Sequence, residues 1–287
     1  MPDDLNPPPA PSRVSYSTGR MLGVEDFQAE QDYHRGRLAR ALMQLSGTGT
    51  ISGMLVQTDG NANVGQLEIQ VTAGVAIDRV GRIVEVPRMV CIVLNDWLTQ
   101  YTQAWQAQLA GQSPGTTAIA DPNTAIHNGN LTIDVFATFV SCTQGVTPCF
   151  ASADDYDATD AFSANRLLDS FAMQLVLRTD ANPKTPLDPW AGLGANQPPL
   201  ATIQQSILSG ALAPQGAPVE YPPAFTDLTG VFLARILVPA TQGASGQPPA
   251  WNLTGFGNGN IDNSKRLFVI PSSILARWNG LGSGTES

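Results

Sequence analysis

The chain is poor in charge. Only 14% of its 287 residues are Asp, Glu, Lys or Arg, against roughly a quarter in an ordinary globular domain. Its surfaces and loops must therefore be solvated by Gly, Pro, Ser, Thr, Asn and Gln. Positive charge is the scarcer kind: 15 Lys and Arg stand against 24 Asp and Glu, for a net charge of −9. That balance argues against nucleic-acid binding through a general basic field. There are two histidines. His34 lies in a predicted helix beside Arg35 and His127 in a predicted loop, so neither sits in a set of ligands with metal-site spacing. No G-x-S-x-G, and no cysteine in a nucleophile context, accompanies them, so a catalytic triad has no support. The expectation is a chain with no cofactor and no enzymatic activity. Three cysteines, an odd number, argue against a disulfide scaffold. No stretch approaches 18 consecutive apolar residues, so no membrane span is predicted. The N-terminal MPDDLNPPPAPS is acidic and proline-rich, unlike a secretory leader, which implies synthesis in the cytoplasm without export by a signal peptide.

What the chain does have is apolar bulk and breakers. Hydrophobic residues make up 43% of it, enough for a sizeable core, while 27 Gly and 22 Pro imply many turns. The clearest helix signal is VEDFQAEQDYHRGRLARALMQL, Val24 to Leu45, with Gly23 before it and Gly47 as its stop. Glu25, Asp26, Glu30 and Asp32 occupy its first half and Arg35, Arg37 and Arg40 its second, the order that complements the helix macrodipole. Positions 24, 27, 31, 34, 38, 41 and 45 form one stripe, apolar at both ends and polar at Gln31 and His34. Such a stripe needs cover, either from the strands that follow or from copies of the same helix. The polar step at Gln31 and His34 leaves room for a hydrogen bond between subunits.

Residues 51–94 read as a meander of about five short strands that the helix covers. Gly53 interrupts the first as a bulge or close-approach site. Leu67, Ile69 and Val71 alternate inward against Glu68 and Gln70. Val75 to Asp78 and Arg82 to Val86 flank Val80-Gly81 as a hairpin. Met89 to Leu94 is apolar throughout, as in a strand covered on both faces. A second helix is predicted over Trp97 to Ala110, capped by Asn95 or Asp96. Later strands are predicted at Leu131 to Cys142, with Asp134 its only charge, at Arg166 to Thr179, at Val231 to Val238 and at Arg266 to Ile270. Gln144 to Pro148 reads as a turn. Residues 199–208 and 272–278 read as short helices. Phe136, Phe139, Leu175 and Leu177 join Leu67, Ile69 and Val71 as expected core. The fold class is mainly β: an antiparallel meander or sandwich with one long N-terminal helix and a few short ones. The organisation expected is a proline-rich arm over 1–12, a helix-plus-meander domain over 13–110, and a second β-rich region over 111–287 with long Gly/Pro loops.

Several groups invite a functional reading. Pro7, Pro8 and Pro9 favour an extended arm without core-forming side chains, either a loose tail or an arm that docks on a neighbouring subunit. Asp154, Asp155, Asp157 and Asp160 cluster hard oxygens of the kind calcium takes, but without the EF-hand spacing, so a solvated acidic loop explains them as well. Cys142 and Cys149 flank the predicted turn and are candidates for a cross-hairpin disulfide or for two reduced thiols. Cys91 reads as a small core residue. Trp190, Trp251 and Trp278 are candidates for stacking on a sugar, or for stapling loops to the core.

The block YSTGRMLGVEDFQAEQDYHRGRLARALMQLSGTGTISGMLV, followed by VTAGVAIDRVGRIVEVPR, resembles structural proteins of contractile phage tails and extracellular contractile injection systems. The resemblance is carried by Tyr16 to Leu22, Glu25 to Tyr33, Gly47 to Gly53 and Gly74 to Arg82. It covers residues 13–94, with a fainter echo over 227–278 in VFLARILV and Ile261-Asp262-Asn263-Ser264. It implies a non-catalytic part at or near the baseplate, spike or fibre attachment of a symmetric particle. The partners it implies are other tail or baseplate proteins and copies of itself. A different reading from the residues is a carbohydrate- or cell-surface-binding β module.

Overall fold

The computed structural model describes residues 12–60, 64–111, 118–148, 162–187, 201, 204–205, 208, 218–222 and 227–278. The arm prolines Pro7, Pro8 and Pro9, the acidic cluster Asp154, Asp155, Asp157 and Asp160, Cys149, Trp190 and most of 199–208 lie outside the described residues.

Among the described residues, twelve strands follow one long helix. The helix is α1 (Val24–Ser46). Then come β1 (Gly49–Gly53), β2 (Val56–Thr58), β3 (Glu68–Val71), β4 (Gly74–Ile77), β5 (Ile83–Val86) and β6 (Val90–Val93), which leads into α2 (Leu94–Leu109). The second half holds β7 (Ile126–His127), β8 (Asn130–Pro148), β9 (Phe162–Leu177), β10 (Val231–Thr241), β11 (Ala250–Trp251), β12 (Ile261–Asp262) and the short α3 (Ser272–Trp278). The strands form three sheets. Two are small, ordered β1-β4-β5 and β2-β3-β6, and the third runs β11-β10-β8-β7 with β9 on β8 and β12 on β10. Every described ladder between these strands is antiparallel. The predicted fold class is the one observed.

Alternation explains how these strands find each other. Leu67, Ile69 and Val71 are all buried, as are Val84 and Val86, while Ile83 and Glu85 point outward. One apolar cluster joins them to Leu131, Ile133, Val135, Leu233 and Ile236 of the large sheet. Phe136 faces the other side of β8. It stacks on Tyr221 with ring centroids 5.2 Å apart and meets Phe232 edge-on at 5.6 Å. Of the expected core residues, only Leu175 departs: it is half-buried against the cluster. Gly53 (φ 63°) and Met54 (φ 53°) break β1 from β2, and a Cβ on Gly53 would lie 2.0 Å from the Ala73 carbonyl oxygen. The close approach expected there is real.

Five local expectations give way. Residues 13–16 form no strand. Met89 and Cys91 are exposed while Val90 and Ile92 are half-buried, so β6 is covered on one face only. The second helix begins at Leu94, with Val93 as N-cap and no side-chain cap; Asn95 instead accepts from the Trp251 indole (3.2 Å). Residues 144–148 do not turn. They continue β8 opposite β9, out to Pro148 against Phe162. Residues 266–270 form no strand. They make a single bridge, Thr50 to Phe268.

The echo near the C-terminus closes on the start of the meander. Asn263 accepts from the Val56 N–H (3.1 Å) and donates to the Val56 carbonyl (2.8 Å). Asn258 accepts from Thr58 N–H (2.9 Å), and Arg266 donates to the Met54 carbonyl (2.7 Å). These side chains satisfy the backbone edge that β2 would otherwise leave open.

Candidate functional site

The sequence blocks that carry the resemblance fold into one unit: a turn that serves as a seat, and α1 resting on it. The β4–β5 turn is knotted by Asp78. Its carboxylate accepts from the N–H of Val80 (3.0 Å) and Arg82 (2.8 Å) and from Arg82 Nε (2.6 Å). Burial pushes the Asp78 carboxyl above its ordinary pKa, and the contacts with Arg82 oppose that rise. Arg82 goes on to donate to Thr229 Oγ1 (2.8 Å), and its guanidinium lies 4.8 Å from the Phe139 ring centre. Arg79, in the same turn, pairs with the buried Glu220. The hairpin is thereby fastened to the large sheet.

Gly81 is the seat itself. Its φ is +89°, and a Cβ there would lie 1.9 Å from the carbonyl oxygen of Ala39. Ala39 is the one fully buried residue of α1. Gly81→Ala should cost about 1–3 kcal/mol, from strain at positive φ plus this overlap. The amides of α1 around Ala39 should exchange hydrogen faster than in the parent. Unchanged exchange there would show that the helix does not depend on the seat.

Away from Ala39, the residues of α1 are half-buried or exposed. Asp26 accepts from the Gly23 N–H (3.0 Å), which closes the N-terminus, and Gly47 (φ 75°) closes the other end by donating to the Met43 carbonyl (3.0 Å). Arg20 donates to Asp26 Oδ1 (3.0 Å) and to the Ser15 carbonyl (2.9 Å). Tyr16 donates to Glu30 Oε2 (2.5 Å), a bond that raises the pKa of the tyrosine hydroxyl. The segment before the helix is thereby folded back along it, leaving a shallow groove lined by Arg13, Val14, Tyr16, Glu30, Tyr33 and His34.

The stripe at 24, 27, 31, 34, 38, 41 and 45 is exposed at every position. Val24 is 67% exposed, Phe27 52%, Leu38 57% and Leu45 86%. The helix does not cover the meander, contrary to the first of the two expectations. The reason is geometric: Ala39, the residue that meets Gly81, lies about 100° round the helix from Leu38, so the stripe points away from the protein body.

A second cluster sits inside the large sheet. Asp134 of β8 is fully buried and receives Arg178 Nη1, Arg235 Nε (2.7 Å) and Arg235 Nη2 (2.8 Å). Arg178, also fully buried, donates to Asp180 through Nε and Nη2 (2.9 Å each) and to the Glu220 carbonyl. Burial works to lower the Arg178 pKa, but Asp180 and Asp134 outweigh it and hold the guanidinium above its ordinary value. The two charges at its centre, Asp134 and Arg178, are fully buried, and the network clamps residues 178–184 and 220 onto the sheet. The sequence carried a signal for it: Asp134 and Arg235 are each the single charge of an apolar strand, and lone charges of opposite sign in adjacent strands pair.

The remaining candidates separate. His34 is exposed, with Nε2 4.0 Å from Glu30 Oε1, and Gln31 is exposed beside it on the stripe. His127 Nε2 lies 3.1 Å from the Arg178 carbonyl. Cys142 is a free, exposed thiol opposite Leu168 in an unbroken strand. Trp251 staples its loop to Asn95. Among the described residues no three His, Cys, Asp or Glu side chains gather as a metal site requires, and no helix is long and apolar enough to cross a membrane.

No protein-family model matches the chain, and no curated protein matches it. Among solved structures, a crystal structure of TssK aligns with 84% of this chain and 41% of its own, at 12% identity and a TM-score of 0.31. The chain thus spans about two fifths of the length of that protein. A likeness of this size assigns no function.

Proposed function

We propose that the chain is a non-enzymatic structural component of a phage-tail-like contractile injection apparatus, at or near its baseplate, spike or fibre attachment. The observation that carries the reading is the uncovered helix. α1 has 23 residues, and the body touches one edge of it while the apolar stripe faces water. Packing of an amphipathic face supplies most of a helix's stability, and contiguous exposed apolar surface marks an interaction site. The residues that resemble contractile-apparatus proteins are the same ones that build this helix, its seat and the loop at 261–264 that closes on β2. The proline-rich arm precedes this unit in the sequence and is expected to dock on a partner.

The test is to purify particles from cells that produce the apparatus and assay them for this chain by mass spectrometry. The chain should be present in fixed proportion to the other components. Deleting residues 1–12 should leave the folded body intact and lower its occupancy. Full occupancy of the truncated chain reduces the arm to a tail, and absence of the full-length chain from the particles ends the reading.

A further inference from the structure

We infer that the exposed stripe of α1 is covered by α1 of a second copy of this chain, packed antiparallel. The stripe repeats every seven residues. Positions 24, 31, 38 and 45 hold Val, Gln, Leu and Leu, and positions 27, 34 and 41 hold Phe, His and Ala. Alternating steps of three and four are the period of a coiled-coil seam, narrower than the face a helix lays on its own core. All seven positions are exposed, the contact with Gly81 lies off the seam, and the folded-back segment 13–16 meets the seam only beside His34.

Two features of the helix select the partner and its direction. The first is the match between layers. In an antiparallel pair, each position of one kind packs against one of the other kind. Centring the pair between Asp32 and Tyr33 sets Val24 against Ala41 of the second copy, Phe27 against Leu38, and Gln31 against His34. Apolar residues meet apolar ones, and the two polar residues meet each other within hydrogen-bonding reach. The second feature is charge. Glu25, Asp26, Glu30 and Asp32 lie in the first half, and Arg35, Arg37 and Arg40 in the second. Antiparallel pairing lays the acidic half of each helix along the basic half of the other and sets Glu30 and Arg37 of the second copy on the same flank of the seam, two residues from level. A parallel pair sets acid beside acid and stacks His34 on His34. Self-complementarity of this kind is what a two-fold interface needs.

The experiment uses the full chain alone, in solution, with mass measured by light scattering at micromolar concentration. The parent should run as a dimer. Leu38→Asp and Phe27→Asp should each halve the mass while leaving the circular dichroism of the body unchanged, since both side chains are already exposed in the single chain. Glu30→Arg should weaken the dimer, and Glu30→Arg with Arg37→Glu should restore it. Direction is read by cross-linking in a background with Cys91, Cys142 and Cys149 changed to Ser. A mixture of Phe27→Cys and Leu38→Cys chains should form a mixed disulfide dimer, and neither chain should cross-link alone. A monomeric parent overturns the proposal, as does a dimer indifferent to both Asp substitutions. Cross-linking of Phe27→Cys to itself overturns the antiparallel arrangement. The inference rests on the helix and not on membership of any apparatus: a chain that pairs in solution but is absent from particles keeps this proposal and ends the functional one.

Discussion

Replacing Asp134 with Ala is expected to destabilise the protein by about 3–5 kcal/mol, the cost of breaking a buried ion pair by removing one partner. Asp134 is buried and takes three donor atoms from Arg178 and Arg235. Its loss leaves Arg178 with Asp180 and the carbonyls of Glu220 and Lys184, and leaves Arg235 with the carbonyls of Pro183 (2.7 Å) and Lys184 (3.0 Å). Desolvation of the guanidinium of Arg178 is then no longer offset at its inner edge. The measurement is urea unfolding followed by circular dichroism, with the slope checked against the parent so that the change is one of stability. The double change Asp134→Leu with Arg178→Met should recover part of the loss, because apolar groups of similar volume replace buried pairs at little net cost. A loss under about 1 kcal/mol for Asp134→Ala would mean that water reaches the cluster.

Ile69→Ala should cost about 2–5 kcal/mol by lost transfer energy and the cavity left behind. Ile69 sits mid-strand in β3, paired with Thr58 on one side and Ile92 on the other, and is completely buried. The informative control is Leu38→Ala, measured at a concentration where the chain is monomeric. Leu38 is the same kind of side chain in a stronger secondary-structure signal, yet its effect should stay within about 0.5 kcal/mol because it is 57% exposed and, among the described residues, belongs to no apolar cluster. Equal losses at the two sites would mean that α1 lies on the body after all.

These two substitutions also mark what could be read without coordinates. Ile69 was legible because a strand reports its buried face in alternate residues, and Leu67, Ile69 and Val71 share that phase with no polar interruption. The seat was half legible. Gly74, Asp78, Gly81 and Arg82 stood out as a hairpin, but what Gly81 must avoid is the carbonyl of Ala39, 42 positions earlier in the chain. Asp134 was visible as an isolated charge in an apolar run, with no indication of which arginine answers it. The pairing of β8 with β9 and β10 supplies Arg178 and Arg235 from 44 and 101 residues away.

The amino-acid sequence by itself determined where α1 starts and stops, the seven-position stripe along it, the phase of β3 and the antiparallel class of the fold. All of these follow from local periodicity, from glycines at the ends and from charge order, which involve neighbours within a turn or two. Only the tertiary structure decided which way the stripe points. A hydrophobic period says that a face wants cover and is silent on what covers it. Here the close approach of Ala39 to Gly81 turns the apolar stripe of the helix out toward solvent.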